Sequence, residues 1–155
     1  MTNVILQFYE AFRKLDAEAM VACYHPDVTF EDPAFGVLKG VHAGNMWRML
    51  CKTQTGKDFL VVFSGIEEDE EKGKAHWEAH YTFSQTGRRV HNIIEASFRL
   101  KDGKIIQHTD HFPLHRWARQ AMGFSGFLIG WSGFFKKKLN AKTTRLLAKF
   151  EANLD

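Results

Sequence analysis

Val4, Ile5, Phe8, Phe12 and Leu15 recur at the spacing of one helix face and predict an opening helix. Asp16 is suited to cap a second, short helix through Ala17, Met20 and Val21. His25-Pro26-Asp27 breaks that pattern, and Val28-Thr29-Phe30-Glu31 reads as a short strand ended by Asp32-Pro33, because a residue before proline is pushed toward extended backbone. A third helix is predicted from about Val41 to Cys51, with Met46, Trp47 and Leu50 on its buried side. From Asp58 onward the period falls to two. Phe59 to Ile66, Ala75 to Ser84, Arg89 to Leu100 and Ile105 to Pro113 read as strands of an antiparallel meander, separated by Glu-rich, Thr86-Gly87 and Lys101-Asp102-Gly103 turns.

Strand alternation sorts these residues by face. Trp77, Ala79, Tyr81 and Phe83 share one side and predict an aromatic pocket wall, while His76, Glu78, His80 and Thr82 share the other. Asn92, Ile94, Ala96 and Phe98 form a second inward set, and Ile106, His108, Asp110 and Phe112 a third. Beyond the meander, Leu114 to Met122 predicts a short helix and Gly123 to Gly133 a glycine-broken apolar loop. Leu139 to Leu154 then predicts a basic amphipathic helix with Leu139, Leu146, Leu147 and Phe150 inward. The organisation is a single α+β domain over 1–115 with a helical extension over 116–155, packed on the same domain or on a partner subunit.

Composition narrows the classes. With 155 residues and 45% hydrophobic content, the chain supports one well-buried core. The formal charge of +3 is split between a basic cluster (Lys136, Lys137, Lys138, Lys142, Arg145) and an acidic run from Glu67 to Glu71. The continuous basic face with interleaved aromatics that nucleic acid requires is absent from this pattern. Cys23 and Cys51 fall in segments read as helical and predict two reduced, buried thiols. The N-terminus lacks the pattern of a signal peptide, and the apolar stretch at 123–135 is short of a span, so the expected location is cytoplasmic with no membrane contact. The histidines do not spell a metal site along the chain: His108 and His111 point to opposite faces, and His76 and His80 lie two pleats apart, so no metal is expected. The outer face carrying His76, Glu78 and His80 is where a homodimer partner is expected to sit.

The order helix, helix, short strand, helix, meander resembles the nuclear transport factor 2-like superfamily, and within it the ketosteroid isomerase-like and SnoaL-like polyketide cyclase branches. The pieces that carry the resemblance are Asp16 followed by Phe30-Glu31-Asp32-Pro33, and Phe98-Arg99-Leu100-Lys101-Asp102-Gly103-Lys104-Ile105-Ile106 followed by Asp110. It covers roughly Val4 to Leu114. It implies a cone-shaped curved antiparallel sheet with N-terminal helices enclosing an apolar, acid-lined pocket, acting on a small apolar molecule without a cofactor. On that resemblance Asp32 falls where the isomerases carry the carboxylate that moves a proton between carbons, a task for a base of intermediate strength in an apolar pocket. Read from the residues alone, an Asp before Pro also ends a strand and caps a turn. Asp110 matches the acid or base of the cyclases, with His108 as its neighbour, and a buried carboxyl beside apolar walls titrates nearer neutrality than an exposed one.

The sequence departs from both branches. The isomerases' two oxyanion donors fall at Phe8 and Ala96, and the cyclases' histidine partner also falls at or near Ala96, so neither set is copied. Asn92 is then the polar group placed to orient a carbonyl or a water. Phe8, Tyr24, Trp47, Trp77, Tyr81, Phe83, Phe98 and Phe112 are the expected apolar surroundings. Two readings remain: an enzyme of isomerase, cyclase or hydrolase type with Asp32, Asp110 and His108 as acid/base groups, or a non-catalytic small-ligand-binding or oligomeric domain of the same fold.

Overall fold

The computed structural model describes residues 3–124, 126 and 133–154. Helix α1 (Val4–Arg13) starts where Asn3 accepts the Leu6 N–H at 3.0 Å and Glu68, from a distant strand, accepts the Ile5 N–H at 2.9 Å. Two of the N–H groups left open at a helix start are thereby paired. Its apolar face, with Ile5, Phe8 and Phe12 fully buried, turns into the sheet. Helix α2 (Ala17–Ala22) is capped by Asp16, whose Oδ1 accepts the Ala19 N–H at 3.1 Å. Its C-cap is Cys23, and Cys51 lies in α3 (Val41–Gln54); both thiols are buried and free.

Strands β1 (Tyr24–Asp32), β2 (Gly36–Lys39), β3 (Leu60–Glu68), β4 (Lys72–Phe83), β5 (Arg88–Lys101) and β6 (Lys104–His111) form one sheet in the order β2-β1-β6-β5-β4-β3. It is the open curved sheet of the nuclear transport factor 2-like cone. Strands β3 to β6 make the expected antiparallel meander, while β1 runs parallel to β6. Three expectations need correction. Strand β1 begins at Tyr24 rather than at Val28 and runs through His25-Pro26-Asp27: its pairing with β6 skips from Tyr24 to Thr29, and that irregularity accommodates a proline with no N–H to give. Strand β2, four residues hairpinned to β1, was invisible as a period because so short a segment shows too few alternations. A register shift between Arg99 and Leu100 puts Ile105 in the core and leaves Ile106 only half-buried, so Ile106 does not share the inward face of His108 and Asp110.

Helices α1 and α3 fill the concave side. Phe12 meets Trp47 and Trp77 edge-on at centroid separations of 5.0 and 5.2 Å, a geometry that suits the ring quadrupoles. Helix α4 (Leu114–Met122) follows the sheet, and the predicted loop at 123–133 lies largely outside the described residues. Helix α5 (Gly133–Ala152) begins six residues before the expected start and packs on its own domain. Asn140 Nδ2 donates to the carbonyls of Pro33 and Ala34, each at 2.9 Å, and Glu151 accepts from Asn45 at 2.7 Å and meets His42 at 2.7 Å. Leu147 is the buried leucine of this helix, whereas Leu146, expected inward, is 48% exposed and stands at the rim of the cavity below. Among the described residues no helix is long and apolar enough to cross a membrane.

Candidate functional site

Between α3, the inner face of the sheet, α4 and α5 lies a cavity of about 410 Å³. That volume is in the range of small-molecule sites. Its walls are mostly apolar, and two carboxylates, Asp32 and Asp110, interrupt them. The strand alternation seen in the sequence explains the inward wall: Trp77, Ala79 and Tyr81 from β4 stand opposite Ile94, Asn92 and Val90 of β5.

Asp32 ends β1 and turns the chain. Its Oδ1 accepts the N–H groups of Ala34 at 3.0 Å and Phe35 at 2.6 Å, an Asx turn that fixes the carboxyl at the cavity wall. Burial, with a smaller contribution from the charge of Asp110, outweighs those two hydrogen bonds and raises the Asp32 pKa from 3.8 to about 7. The residue keeps partial exposure to the cavity, yet protein surrounds the carboxyl densely enough for desolvation to dominate.

Asp110 lies opposite Ala96 in the β5–β6 register and is 3% exposed. Its Oδ1 accepts the Trp77 indole N–H at 3.2 Å and faces His108 Nε2 at 3.0 Å. His108 Nδ1 lies 2.8 Å from the Tyr24 hydroxyl, which itself accepts the Trp47 indole N–H at 2.8 Å. One proton arrangement satisfies every group: Trp47 donates to Tyr24, Tyr24 to His108 Nδ1, and His108 Nε2–H to the Asp110 carboxylate. Burial holds the Tyr24 hydroxyl well above its usual pKa, so it keeps the proton it donates. The result is a buried polar chain from α3 to Asp110, sealed by Phe8, Phe30 and Phe98 around the imidazole at centroid separations of 5.4, 5.1 and 4.4 Å.

A family model for the SnoaL-like domain matches residues 5–108. The chain belongs to the SnoaL-like family. Among solved structures, this SnoaL-like protein is similar to an NTF2-like protein of unknown function from Burkholderia pseudomallei, at 19% identity and TM-score 0.64 over 79% of this chain and 99% of that one. It is similar to a putative polyketide cyclase from Xanthomonas campestris pv. campestris, at 22% identity and TM-score 0.60 over 76% and 93% of the two chains. TerC, co-crystallized with polyporic acid, aligns at 24% identity and TM-score 0.57 over 70% of this chain and 88% of its own. These likenesses establish the shared fold. No curated protein matches the sequence.

The SnoaL-like cavity gathers Asp32, Asp110, Trp47, Trp77, Tyr81, Phe83, Asn92 and Phe112 of the residues expected there. Phe8, Tyr24, Phe98 and His108 do not line it. They form the packed layer behind Asp110, because α1 presses Phe8 against Tyr24, Trp47 and His108 and leaves no open space on that side. The two positions without donors are apolar and buried in the structure, Phe8 at 0% and Ala96 at 4% exposure. Two polar groups lie in the cavity wall instead. The Asn92 amide makes no hydrogen bond among the described residues, and the Tyr81 hydroxyl accepts from the Trp117 indole at 2.7 Å, keeping its own proton to donate. Sequence reasoning missed the contribution of Trp117 and of α5, which adds Leu139, Lys142, Thr143 and Leu146 to the rim. The basic amphipathic pattern gave α5 an inward face but not its place over the cavity.

Proposed function

We propose that this SnoaL-like protein is an enzyme that moves a proton on a small apolar molecule without a cofactor, with Asp32 as the acid/base group. The observation that carries the reading is a carboxyl that titrates near 7, set in the wall of an apolar cavity beside a second, firmly held carboxylate. General-base catalysis is most efficient when the pKa lies near the working pH, and a carboxyl raised to about 7 is matched to neutral conditions. Burial first, and then the charge of Asp110, which Trp77 and His108 hold in place, favour the protonated form of Asp32 that would return a proton taken from substrate. Asn92 and Tyr81 are the donors placed to receive the charge that develops on a substrate oxygen. A putative polyketide cyclase and a protein co-crystallized with polyporic acid among the structural neighbours are consistent with an organic ligand in this cavity.

The test has two stages. Thermal shift against steroids, polyketide-like aromatics, terpene epoxides and small lactones finds the ligand class, since binding to the folded state alone stabilises it. Product formation by the wild type and by Asp32→Asn is then compared, with loss of turnover and retained binding as the expected outcome; an unimpaired variant removes Asp32 from the chemistry. A second reading, ligand binding without turnover, is favoured by the Asx turn, which already gives Asp32 Oδ1 a structural task. It is the outcome if ligands bind and no product forms.

A further inference from the structure

On the face of the sheet opposite the cavity, β4 contributes Glu78 and His80 and β5 contributes His91 to one group of side chains. His80 and His91 are direct cross-strand partners, and their rings stack with centroids 4.1 Å apart and planes 19° apart. Glu78, two residues before His80 and so on the same face, reaches diagonally to place Oε1 2.6 Å from His91 Nε2. One ligand-type atom from each of Glu78, His80 and His91 lies within 4.8 Å of the others. Among the described residues this is the one group of three such side chains that converges.

We propose that Glu78, His80 and His91 bind a divalent transition-metal ion of the zinc class. Zinc takes imidazole nitrogen and carboxylate oxygen at roughly 2.0–2.2 Å, which places two ligand atoms of a tetrahedral site about 3.3 Å apart. The three ligand atoms, now within 4.8 Å of one another, would draw together around the ion, and all three side chains have solvent on one side. Two imidazoles and a carboxylate are a donor set suited to zinc and its neighbours and poorly suited to magnesium or calcium. Three protein ligands leave a fourth position open to water or to a group from another molecule.

Two further features point to a ligand here. The His80 ring makes no side-chain hydrogen bond among the described residues, although it lies against a second imidazole and beside a carboxylate. His76 holds the other oxygen of Glu78, Nε2 to Oε2 at 2.8 Å, and is in turn held through Nδ1 by Glu95. Such outer partners orient a ligating carboxylate and raise its affinity for metal. Reading along one strand cannot find this site, because His80 and His91 meet only through the β4–β5 register.

Isothermal titration of the full chain with zinc alone, and separately with magnesium alone, tests the assignment. One zinc ion per chain and no magnesium are expected. His80→Ala and His91→Ala should each weaken zinc binding by at least tenfold, while His42→Ala, which removes an exposed histidine from α3, should leave it unchanged. Melting followed by circular dichroism, without metal, checks that the variants remain folded, and zinc should raise the melting temperature of the wild type and His42→Ala but not of the other two. Absence of zinc binding, or binding that survives both His80→Ala and His91→Ala, overturns the proposal.

Discussion

The Tyr24 hydroxyl and His108 Nδ1 lie 2.8 Å apart with both residues buried, and this bond sets the tautomer of the imidazole. With Nδ1 accepting from Tyr24, the ring proton sits on Nε2 and meets Asp110. A carboxylate on the cavity wall is thus oriented by residues that never touch the cavity.

Tyr24→Phe should therefore destabilise the protein more than loss of one hydroxyl implies. The Trp47 indole N–H and His108 Nδ1 would both be left unpaired in a dry core. Each such group costs roughly 1–3 kcal/mol, so an overall loss of about 2–6 kcal/mol is expected. Urea unfolding measures it, and a change below about 0.5 kcal/mol, the range of ordinary surface substitutions, would show that the chain of bonds does not form.

Gly73 should tolerate no side chain. It lies in β4 beneath α1, where an added Cβ would stand 2.3 Å from Ile5 Cδ1 and 2.6 Å from the Glu67 carbonyl oxygen. The first contact can yield by rotation of Ile5, but the second is backbone. Gly73→Ala should cost about 1–3 kcal/mol by overpacking, and Gly73→Val more, read as a fall in melting temperature. At Gly87, where an added Cβ meets nothing within 4 Å but φ is +73°, alanine should cost less, about 1 kcal/mol from backbone strain.

Much of this fold was legible because its signals are local. The apolar spacing of Ile5, Phe8 and Phe12 marked α1, and alternation in β4 put Trp77 and Tyr81 on the cavity side without any knowledge of the partners. Asp32 was legible as a turn residue and, by resemblance, as a candidate base, and the structure gives one carboxyl both an Asx turn and a place in the cavity. What stayed hidden depends on register and on packing between distant segments. A shift at Arg99 exchanged Ile106 for Ile105, Phe8 closed off the side on which Tyr24 and Phe98 were expected to meet ligand, and α5 reached back to the cavity rim.

Helix α5 should control access to the site through the turn that carries Asp32. Asn140 donates to the carbonyls of Pro33 and Ala34, and Thr143 donates to Ala34 at 2.8 Å, so the helix grips the two residues that follow the carboxyl. Replacing both with alanine removes three hydrogen bonds at a partly exposed contact, worth about 1–3 kcal/mol together. The expected result is faster hydrogen exchange confined to the β1–β2 turn and α5, with weaker binding of any cavity ligand and little change in the sheet. Uniform acceleration across the sheet would instead mean that α5 is part of the global folding unit.

Asp32 joins stability to function with a definite sign. Its folded pKa is raised from 3.8 to about 7, first by burial, so the native state holds a proton that the unfolded chain releases. Stability from this group is fully present below pH 3.8 and is lost as pH rises through about 7. The difference corresponds to at most about 4 kcal/mol between the two limits. Asp32→Asn keeps an oxygen able to accept from Ala34 and Phe35 but carries no charge. It should match the wild type in stability at pH 4 and exceed it at pH 8, while abolishing proton transfer. The wild-type kcat/KM should rise with pH and level off above about 7, as the base ionises in the free enzyme. Urea unfolding at the two pH values and a pH–rate profile check the two halves separately. A variant less stable than wild type at pH 8 would mean that the Asx turn needs the charge of the carboxylate. A flat rate profile between pH 5 and 9, an interval chosen to bracket the raised pKa, would detach Asp32 from the chemistry even if the stability gain appears.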